Sequence, residues 1–479
     1  MQHSDLKSAG YGDEAPIAAL ATIPGSCALT VIRCSGAGSI ELFSSVFAPS
    51  NKKTLLTEAE GNTVIHGWIV SKEESEKIDE VVISIFRAPK SYTGEDSIDI
   101  SCHGGHSAWK AVMAVLKDAG YRDALAGEFT FRAFMNGKID LTKSESVIEL
   151  VNAKTDVSRR HAVSRLCGSL QKEINDIKAL LVQVLATAEI YLDYSEDEIS
   201  ADFDAGASDE IAGKLPNKEI ARDALKKLKK LSDSWLLERL YQQGVTIVIA
   251  GCPNSGKSSL FNSFLKEDRS IVTDIPGTTR DWIEAFVSVE GIPVRLIDTA
   301  GLRETNDSVE KIGVQRSRTL LQEADIVLYL IDGEMGITDD DYEFLALQNT
   351  EDKYIFIWNK SDIKPSPDGY ISISAKTGQG LAQLFSTVAA VIKKQTDVFQ
   401  LFDEPNAASI GIGTERQKKL VDSACSLLKE ALVMSENNEP LDLIAPLIRE
   451  AVNSLGEITG EVSTADILEE MFSRFCVGK

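Results

Sequence analysis

The stretch Gly244–Leu260, GVTIVIAGCPNSGKSSL, constrains this chain more than any other. Val245 to Ala250 is a short, β-branched apolar run, long enough for one buried strand. It leads directly into Gly251-Cys-Pro-Asn-Ser-Gly-Lys-Ser258, which fits G-x-x-x-x-G-K-[ST] at every fixed position. The glycines let the backbone wrap closely, so that successive N–H groups of Asn254, Ser255, Gly256, Lys257, Ser258 and Ser259 can point at a phosphate chain. Lys257 would reach the β/γ-phosphates, and the Ser258 hydroxyl would hold Mg²⁺. A helix beginning near Ser258 would turn its positive end toward the same anion.

Further elements follow in a fixed order. The apolar strand Val294–Ile297 runs into Asp298-Thr-Ala-Gly301, where Asp298 can order a Mg²⁺-bound water and the Gly301 N–H can meet a γ-phosphate, flanked by Thr299 and Ala300. Thr279, in Gly277-Thr-Thr-Arg280, falls on a mobile first switch, where a hydroxyl can complete the Mg²⁺ shell. Asn359-Lys-Ser-Asp362 follows the strand Tyr354–Trp358. The Asp362 carboxylate only accepts, which suits the N1–H and exocyclic amine of guanine. Adenine would leave it unpaired, at a cost of about 1–3 kcal/mol or more. Ser374-Ala-Lys376 comes after a last strand, where backbone N–H groups can meet guanine O6. The expected ligand is therefore GTP with Mg²⁺. Small GTPases place a glutamine directly after D-x-x-G to orient water. Leu302 stands there and can neither donate nor accept, so either hydrolysis is slow or the catalytic carboxylate or amide comes from elsewhere; Arg303, Glu304, Asp307 and Glu310 are all candidates.

Around this core the chain changes period. Residues 17–105 are strand-rich, with Cys27–Arg33, Thr63–Val70, Val81–Arg87 and Ser97–Ser101 bounded by turn residues. Trp109–Leu116 repeats at helical spacing and Gly120 can stop that helix, so an α+β unit is expected to about residue 135. Helical spacing runs from about Leu141 to Leu240, interrupted at Tyr194–Gly213, and returns after Gln395. Residues 243–396 alternate strand and helix, as a parallel α/β sheet requires. The expected fold is multidomain α/β. An N-terminal α+β domain (1–135) precedes a helical domain in two parts (136–242 and 397–479). A Ras-like P-loop domain with a parallel α/β sheet (243–396) is inserted between those parts on the economical reading, and two independent helical domains are the alternative.

The net charge of −23 repels nucleic acid at long range, so an RNA partner would need a local basic patch. Lys226-Lys-Leu-Lys-Lys230 is the dense basic cluster, and it reads as the solvated face of a helix. Seven cysteines without CxxC pairs read as reduced thiols in a cytosol. The opening MQHSDLKSAGYGDE lacks an apolar signal core, and no run approaches a membrane span. Cys102-His-Gly-Gly-His106 invites a metal site, but a mononuclear centre needs further ligands, no second tight Cys/His cluster is present in the sequence, and a glycine turn between strand and helix explains the spacing without a metal.

These motifs resemble one family across essentially the whole chain: the bacterial and organellar tRNA-modification GTPases called MnmE or TrmE. The likeness rests on SYTGED with CHGG, GEFTFRAFMNGKIDL at 127–141, PNSGKSS, TDIPGTTRD, DTAGLRE with VEKIG, and the terminal FCVGK. The resemblance implies an N-terminal domain that binds 5-formyl-tetrahydrofolate or a related folate and forms a homodimer. It implies a flavin-dependent MnmG (GidA) partner in a heterotetramer, and an aminomethyl-type modification at carbon 5 of the wobble uridine of certain tRNAs. It also implies K⁺-stimulated hydrolysis in the cytoplasm when two GTPase domains meet. K⁺ would be held by Asn254, Thr273, Ile275 and Thr278, within a first switch that also supplies Asp274, Pro276, Gly277 and Thr279 to the nucleotide. Glu310 would orient water beside Lys257 and Thr279. The folate residues carry over as Arg33, Lys138, Lys479 and Asp99, an aspartate where the family usually has glutamate, with Cys476 as a thiol near the pocket. A ribosome-assembly GTPase is the alternative, opposed by the folate-type motifs and the FCVGK tail. A dynamin-like scaffold is the third, opposed by the lack of a basic amphipathic segment.

Overall fold

A computed structural model of the chain describes residues 11, 13–71, 76–193, 215–267, 283–289, 291–299, 320–346, 353–395, 411–462, 465–473, 475 and 477–478. It divides into two compact units, residues 1–148 with 449–479, and residues 149–448.

The first unit is built on a seven-stranded sheet. Its strands are β1 (Ile17–Leu20), β2 (Leu29–Ser35), β3 (Phe47–Pro49), β4 (Thr63–Val70), β5 (Lys77–Phe86), β6 (Ser97–His103) and β7 (Arg122–Asp123), in the order β3-β4-β5-β6-β2-β1-β7. Only β1 and β7 pair in parallel. Strand residues alternate, so one face carries Ile32, Ile83, Ile85, Ile98 and Ile100 into the core. Two helices, α1 (Ser39–Ser44) and α2 (His106–Ala119), cover that face with Ile40, Phe43, Val112 and Leu116. Gly120 ends α2 in the left-handed region, as its position in the sequence suggests.

The chain continues through α3 (Glu128–Met135) and α4 (Leu141–Asn152). An ion-paired chain wires α3 to the SYTGED loop: Glu128, fully buried, accepts from Arg122 at 2.8 Å and from Arg132 at 2.9 Å, and Arg132 reaches Glu95 at 3.2 Å. The two sequence motifs that straddle these residues are thus one cross-linked element. The C-terminal tail packs on α3 as well, where Phe472 and Phe475 meet Phe131 and Leu468. Val477 bridges to Ala126.

The second unit holds α5 (Asp156–Leu166), α6 (Ser169–Asp193) and α7 (Lys218–Gln243) before its sheet, and α11 (Glu415–Glu436) after it. Leu170, Ile174, Ile177, Leu181 and Val184 of α6 are all buried, the helical stripe expected of them. The interruption expected at Tyr194–Gly213 lies outside the described residues. Helix α7 runs antiparallel to α11, since Arg222 pairs with Glu436 while Ser232 donates to Asp422. Helix α12 (Leu441–Thr459) then leads back to the first unit's last helix, α13 (Ala465–Ser473).

Helix α7 runs straight into a six-stranded sheet: β8 (Val245–Gly251), β9 (Ile283–Val289), β10 (Ile292–Asp298), β11 (Ile326–Asp332), β12 (Tyr354–Asn359) and β13 (Ile371–Ser372). Its order is β13-β12-β11-β8-β10-β9, with only the edge strand β9 antiparallel. Ile247 and Ile249 face one core with Leu260 and Phe264 of α8 (Lys257–Glu267) and Leu384 and Val388 of α10 (Leu381–Gln395). Val248 and Ala250 face the opposite core with Tyr329, Phe356 and Trp358. Both faces are covered, so every residue of β11, IVLYLID, is buried, and the strands read as continuous apolar runs. Helix α9 (Asp339–Leu345) completes the described elements.

A nucleotide site at the carboxyl edge of the parallel sheet

Strands β8, β10, β11 and β12 are parallel, and their carboxyl ends deliver Gly251, Asp298, Asp332 and Asn359 to one edge, the usual ligand edge of an open α/β sheet. Gly251 adopts φ +139°, and a Cβ there would lie 2.3 Å from Leu330 O. Gly256 adopts φ +98°, and a Cβ there would lie 2.2 Å from Asn359 Nδ2. The loop between them therefore keeps its wrapped shape only with glycine at both ends. Asn254 takes φ +65° at the loop's exposed tip.

Several atoms of this loop are arranged as an anion site. Lys257 Nζ rests on the Gly251 and Cys252 carbonyls at 3.0 and 2.8 Å, folded over the loop that its charge would share with phosphate. Ser255 is fully buried and its Oγ has no hydrogen-bond partner among the described residues. Ser258, at the start of α8, donates to Asp298 Oδ2 at 2.9 Å, so the hydroxyl and carboxylate expected to serve Mg²⁺ already touch. Thr299 Oγ1 donates to Ile249 O at 2.8 Å and locks the turn after β10 onto β8. Ser259 is exposed on the first turn of α8.

The base-side loops are tied to this cradle by Asn359. Its Nδ2 donates to Ser255 O at 2.7 Å, and its Oδ1 accepts from Ala375 N at 3.0 Å. Ser374 is buried and its Oγ accepts from Thr377 N, holding the turn that presents Ala375 and Lys376. Asp362 is exposed, open to a ligand. Lys360 sits at φ +61°, and its ammonium reaches Asp332 Oδ2 at 2.6 Å and Glu334 Oε2 at 3.3 Å. The Asp332 hydrogen bond raises the Lys360 pKa above its ordinary value. Sequence reasoning missed Asp332. Its signal was available, a carboxylate ending a fully apolar parallel strand at the ligand edge.

Cys252, a variable position of the loop motif, donates its thiol to Asp341 Oδ1 at 3.2 Å. Burial, foremost, pushes that thiol's pKa up. Asp341 also accepts from Tyr329 and Thr338, so the loop is anchored to the start of α9.

In the first unit, Arg33 and Asp99 are register partners on adjacent strands and share one face. Their side chains pair twice, Nε to Oδ1 at 2.9 Å and Nη2 to Oδ2 at 3.1 Å. The shorter carboxylate thus still reaches the guanidinium with both oxygens. Tyr92 lies beside them, its ring centroid 5.8 Å from Arg33 Cζ and its hydroxyl 2.9 Å from Thr130 Oγ1. Lys138 Nζ donates to Pro89 O at 2.8 Å. Arg33, Asp99 and Tyr92 therefore lie together, and Lys138 borders the same loop. In the CHGGH patch, His103 pairs with Asp79 at 2.6 Å and Cys102 is buried. No group of three or more His, Cys, Asp or Glu that could hold a metal occurs among the described residues.

Thr273, Asp274, Ile275, Pro276, Gly277, Thr278 and Thr279 of the first switch lie outside the described residues. So do Ala300, Gly301, Leu302, Arg303, Glu304, Asp307 and Glu310 of the second, and Cys476 and Lys479 of the tail.

The sequence pattern of the MnmE helical domain matches residues 141–476, and that of the GTP-binding protein TrmE N-terminus matches residues 16–138. The chain belongs to the MnmE family of tRNA modification GTPases. The tRNA modification GTPase MnmE of Treponema denticola is 41% identical over 483 residues, spanning 97% of this chain and 98% of that protein. The MnmE of Carboxydothermus hydrogenoformans is 39% identical over 471 residues, spanning 97% of this chain and 100% of that protein. That of Borreliella burgdorferi strain B31 is 40% identical over 478 residues, spanning 97% and 98%. MnmE membership and the loop geometry agree on chemistry. The site is a GTPase site. No described helix is long and apolar enough to cross a membrane.

Proposed function

We propose that this chain is a cytoplasmic, K⁺-stimulated GTPase that works with a flavin-dependent partner of the MnmG type to modify carbon 5 of the wobble uridine of certain tRNAs, using a folate one-carbon donor. The observation that carries the reading is the Asn359 brace, which joins the phosphate loop to the guanine-side loops in a chain related end to end to tRNA modification GTPases.

The finer assignments are as follows. Residues 1–135 bind 5-formyl-tetrahydrofolate or a close relative through Arg33, Asp99, Lys138 and Lys479, and dimerise the chain. Residues 136–242 and 397–479 form the helical domain, and 243–396 the inserted GTPase domain. Asn254, Thr273, Ile275 and Thr278 ligate K⁺, where a cation beside the β/γ-phosphates would neutralise developing charge. Thr279 completes the Mg²⁺ shell, and Glu310 orients the water that Leu302 cannot. Hydrolysis resets the meeting of two GTPase domains and does no chemistry on the base. Two such chains and their flavoprotein partners form the working heterotetramer.

Nucleoside analysis of tRNA from a deletion strain tests this. Wobble uridines lacking the carbon-5 group, restored by the intact gene, are expected. Unchanged wobble uridines with defective ribosome subunits would replace this reading with the ribosome-assembly one.

A further inference from the structure

The turn that follows β12 is anchored by two neighbouring side chains. Asn359 reaches the phosphate loop and Ala375, whereas Lys360, one residue on, reaches back along the sheet edge to β11. We propose that Asp332, the last residue of β11, is a positioning residue for guanine binding, holding the Lys360 ammonium and so fixing the turn that carries Asp362; this rests on residues 359–362 being the guanine-side loop.

Asp332 is itself firmly placed. It is the register partner of Asn359 in the parallel pair β11–β12, and it is only 6% exposed. Its Oδ1 accepts from Glu334 N at 3.0 Å and its carbonyl from Gly336 N at 2.8 Å, which closes the turn leaving β11. Gly333 presses that turn onto the neighbouring strand. Its N–H donates to Asn359 O at 2.9 Å, and a Cβ there would lie 2.4 Å from the same oxygen. The other carboxylate oxygen, Oδ2, meets Lys360 Nζ at 2.6 Å.

Lys360 needs such a hold. It sits at φ +61°, a left-handed conformation that a lysine keeps only where surrounding contacts over-determine it. Its carbonyl accepts from Ile363 N at 2.9 Å, so Lys360 opens the turn whose third residue is Asp362. Ser361 N bonds to Ile373 O at 3.0 Å and ties the same turn to the chain leading into Ser374. Glu334 also reaches Lys360, at 3.3 Å, but its side chain is 59% exposed. Water screens an exposed acid, so the buried Asp332 dominates the contact. The Asp332 hydrogen bond, foremost, raises the Lys360 pKa, so removing that carboxylate should leave more free amine for an acylating reagent.

The test uses the full-length chain carrying Asp332→Asn, Lys360→Met, both together, or Glu334→Gln. Asparagine keeps the side-chain size and an oxygen for Glu334 N, and removes the charge. Asp332→Asn should raise the GTP KM and the GDP Kd by about tenfold while kcat stays within about twofold of the wild type, because binding is lost and not the hydrolytic step. The double variant should bind GDP no worse than Lys360→Met alone, and Glu334→Gln should lose about twofold or less. Acetic anhydride, followed by peptide mass spectrometry, should label Lys360 faster in Asp332→Asn while the exposed Lys364 labels at its wild-type rate. An unchanged GDP affinity, a loss confined to kcat, unchanged Lys360 labelling, or additive losses in the double variant would each overturn the role. Discrimination between GDP and ADP by the wild-type chain separates the two failures. Without it the guanine-side reading falls and takes the Asp332 role with it, whereas failure of the Asp332 role alone leaves that discrimination intact.

Discussion

Asn359 and Ser255 are joined by a 2.7 Å hydrogen bond from the Asn359 amide to the Ser255 carbonyl, across 104 residues of chain. The same side chain accepts from Ala375 N, so one buried asparagine sets the distance between the phosphate loop and the base-side loops. Each bond is neutral and contributes about 1 kcal/mol net. Asn359→Ala should therefore weaken GTP and GDP together by about tenfold or more. A fluorescent-GDP titration measures this, and an unchanged affinity would mean that the loops hold their spacing without the brace.

Gly256→Ala should be more severe. The added methyl would sit 2.2 Å from Asn359 Nδ2, on backbone at φ +98°. Relaxing it means moving either the loop or the brace, and the strained backbone alone costs about 1–3 kcal/mol. We expect no rise in thermal midpoint on adding GDP, where the wild type shows one.

Asp362→Asn replaces an acceptor-only group with one that also donates. Guanine presents donors there and xanthine presents a carbonyl at carbon 2, so the variant should prefer xanthosine triphosphate over GTP. Competition of the two nucleotides for hydrolysis decides it. A retained GTP preference would mean that Asp362 does not face the base.

Buried charge in the helical part should make stability depend on acid. Arg165 donates to Glu149 at 2.7 Å and to Glu238 at 2.8 Å, and His161 lies 2.8 Å from Glu238. Burial alone would raise the Glu238 carboxyl, but the His161 ring and the Arg165 charge together outweigh it and hold the carboxyl below its ordinary value of 4.5. The folded form thus binds its proton less readily than the unfolded form. The stabilisation is present above pH 4.5 and is lost as pH falls through the lower folded value. Arg165→Met should cost about 3–5 kcal/mol by stranding two carboxylates. Urea unfolding from pH 3 to 7 should show a shallower acid slope in Glu238→Gln than in the wild type.

GTP turnover should rise when K⁺ replaces Na⁺, and Asn254→Ala should remove the difference. Glu310→Ala should leave nucleotide affinity near the wild-type value while slowing hydrolysis. A large loss of affinity in Glu310→Ala would give that residue a structural role instead.

Much of the GTPase fold is legible in the chain because its strands are buried on both sides. Ile247–Ala250 and Tyr354–Trp358 are apolar without alternation, and each is followed at once by a polar loop that leaves the sheet at its carboxyl edge. The N-terminal strands were legible as β-branched and apolar runs bounded by turn residues. What was hidden was pairing. Nothing local marks Asp332 as the partner of Lys360, or Glu128 as the acid buried between Arg122 and Arg132.

By itself the sequence determined the ligand class, since the phosphate loop is a contiguous eight-residue geometry and the guanine preference expected from it rests on the donor and acceptor chemistry of Asp362. These are properties of short segments, set by backbone sterics and side-chain type. Only the tertiary structure decided the rest. Asn359 braces Ser255, Asp99 answers Arg33 from 66 residues away, and Glu238 meets Arg165 from 73 residues away. Such contacts depend on strand order, register and helix packing, which bring distant residues within hydrogen-bonding distance, and no local pattern carries that information.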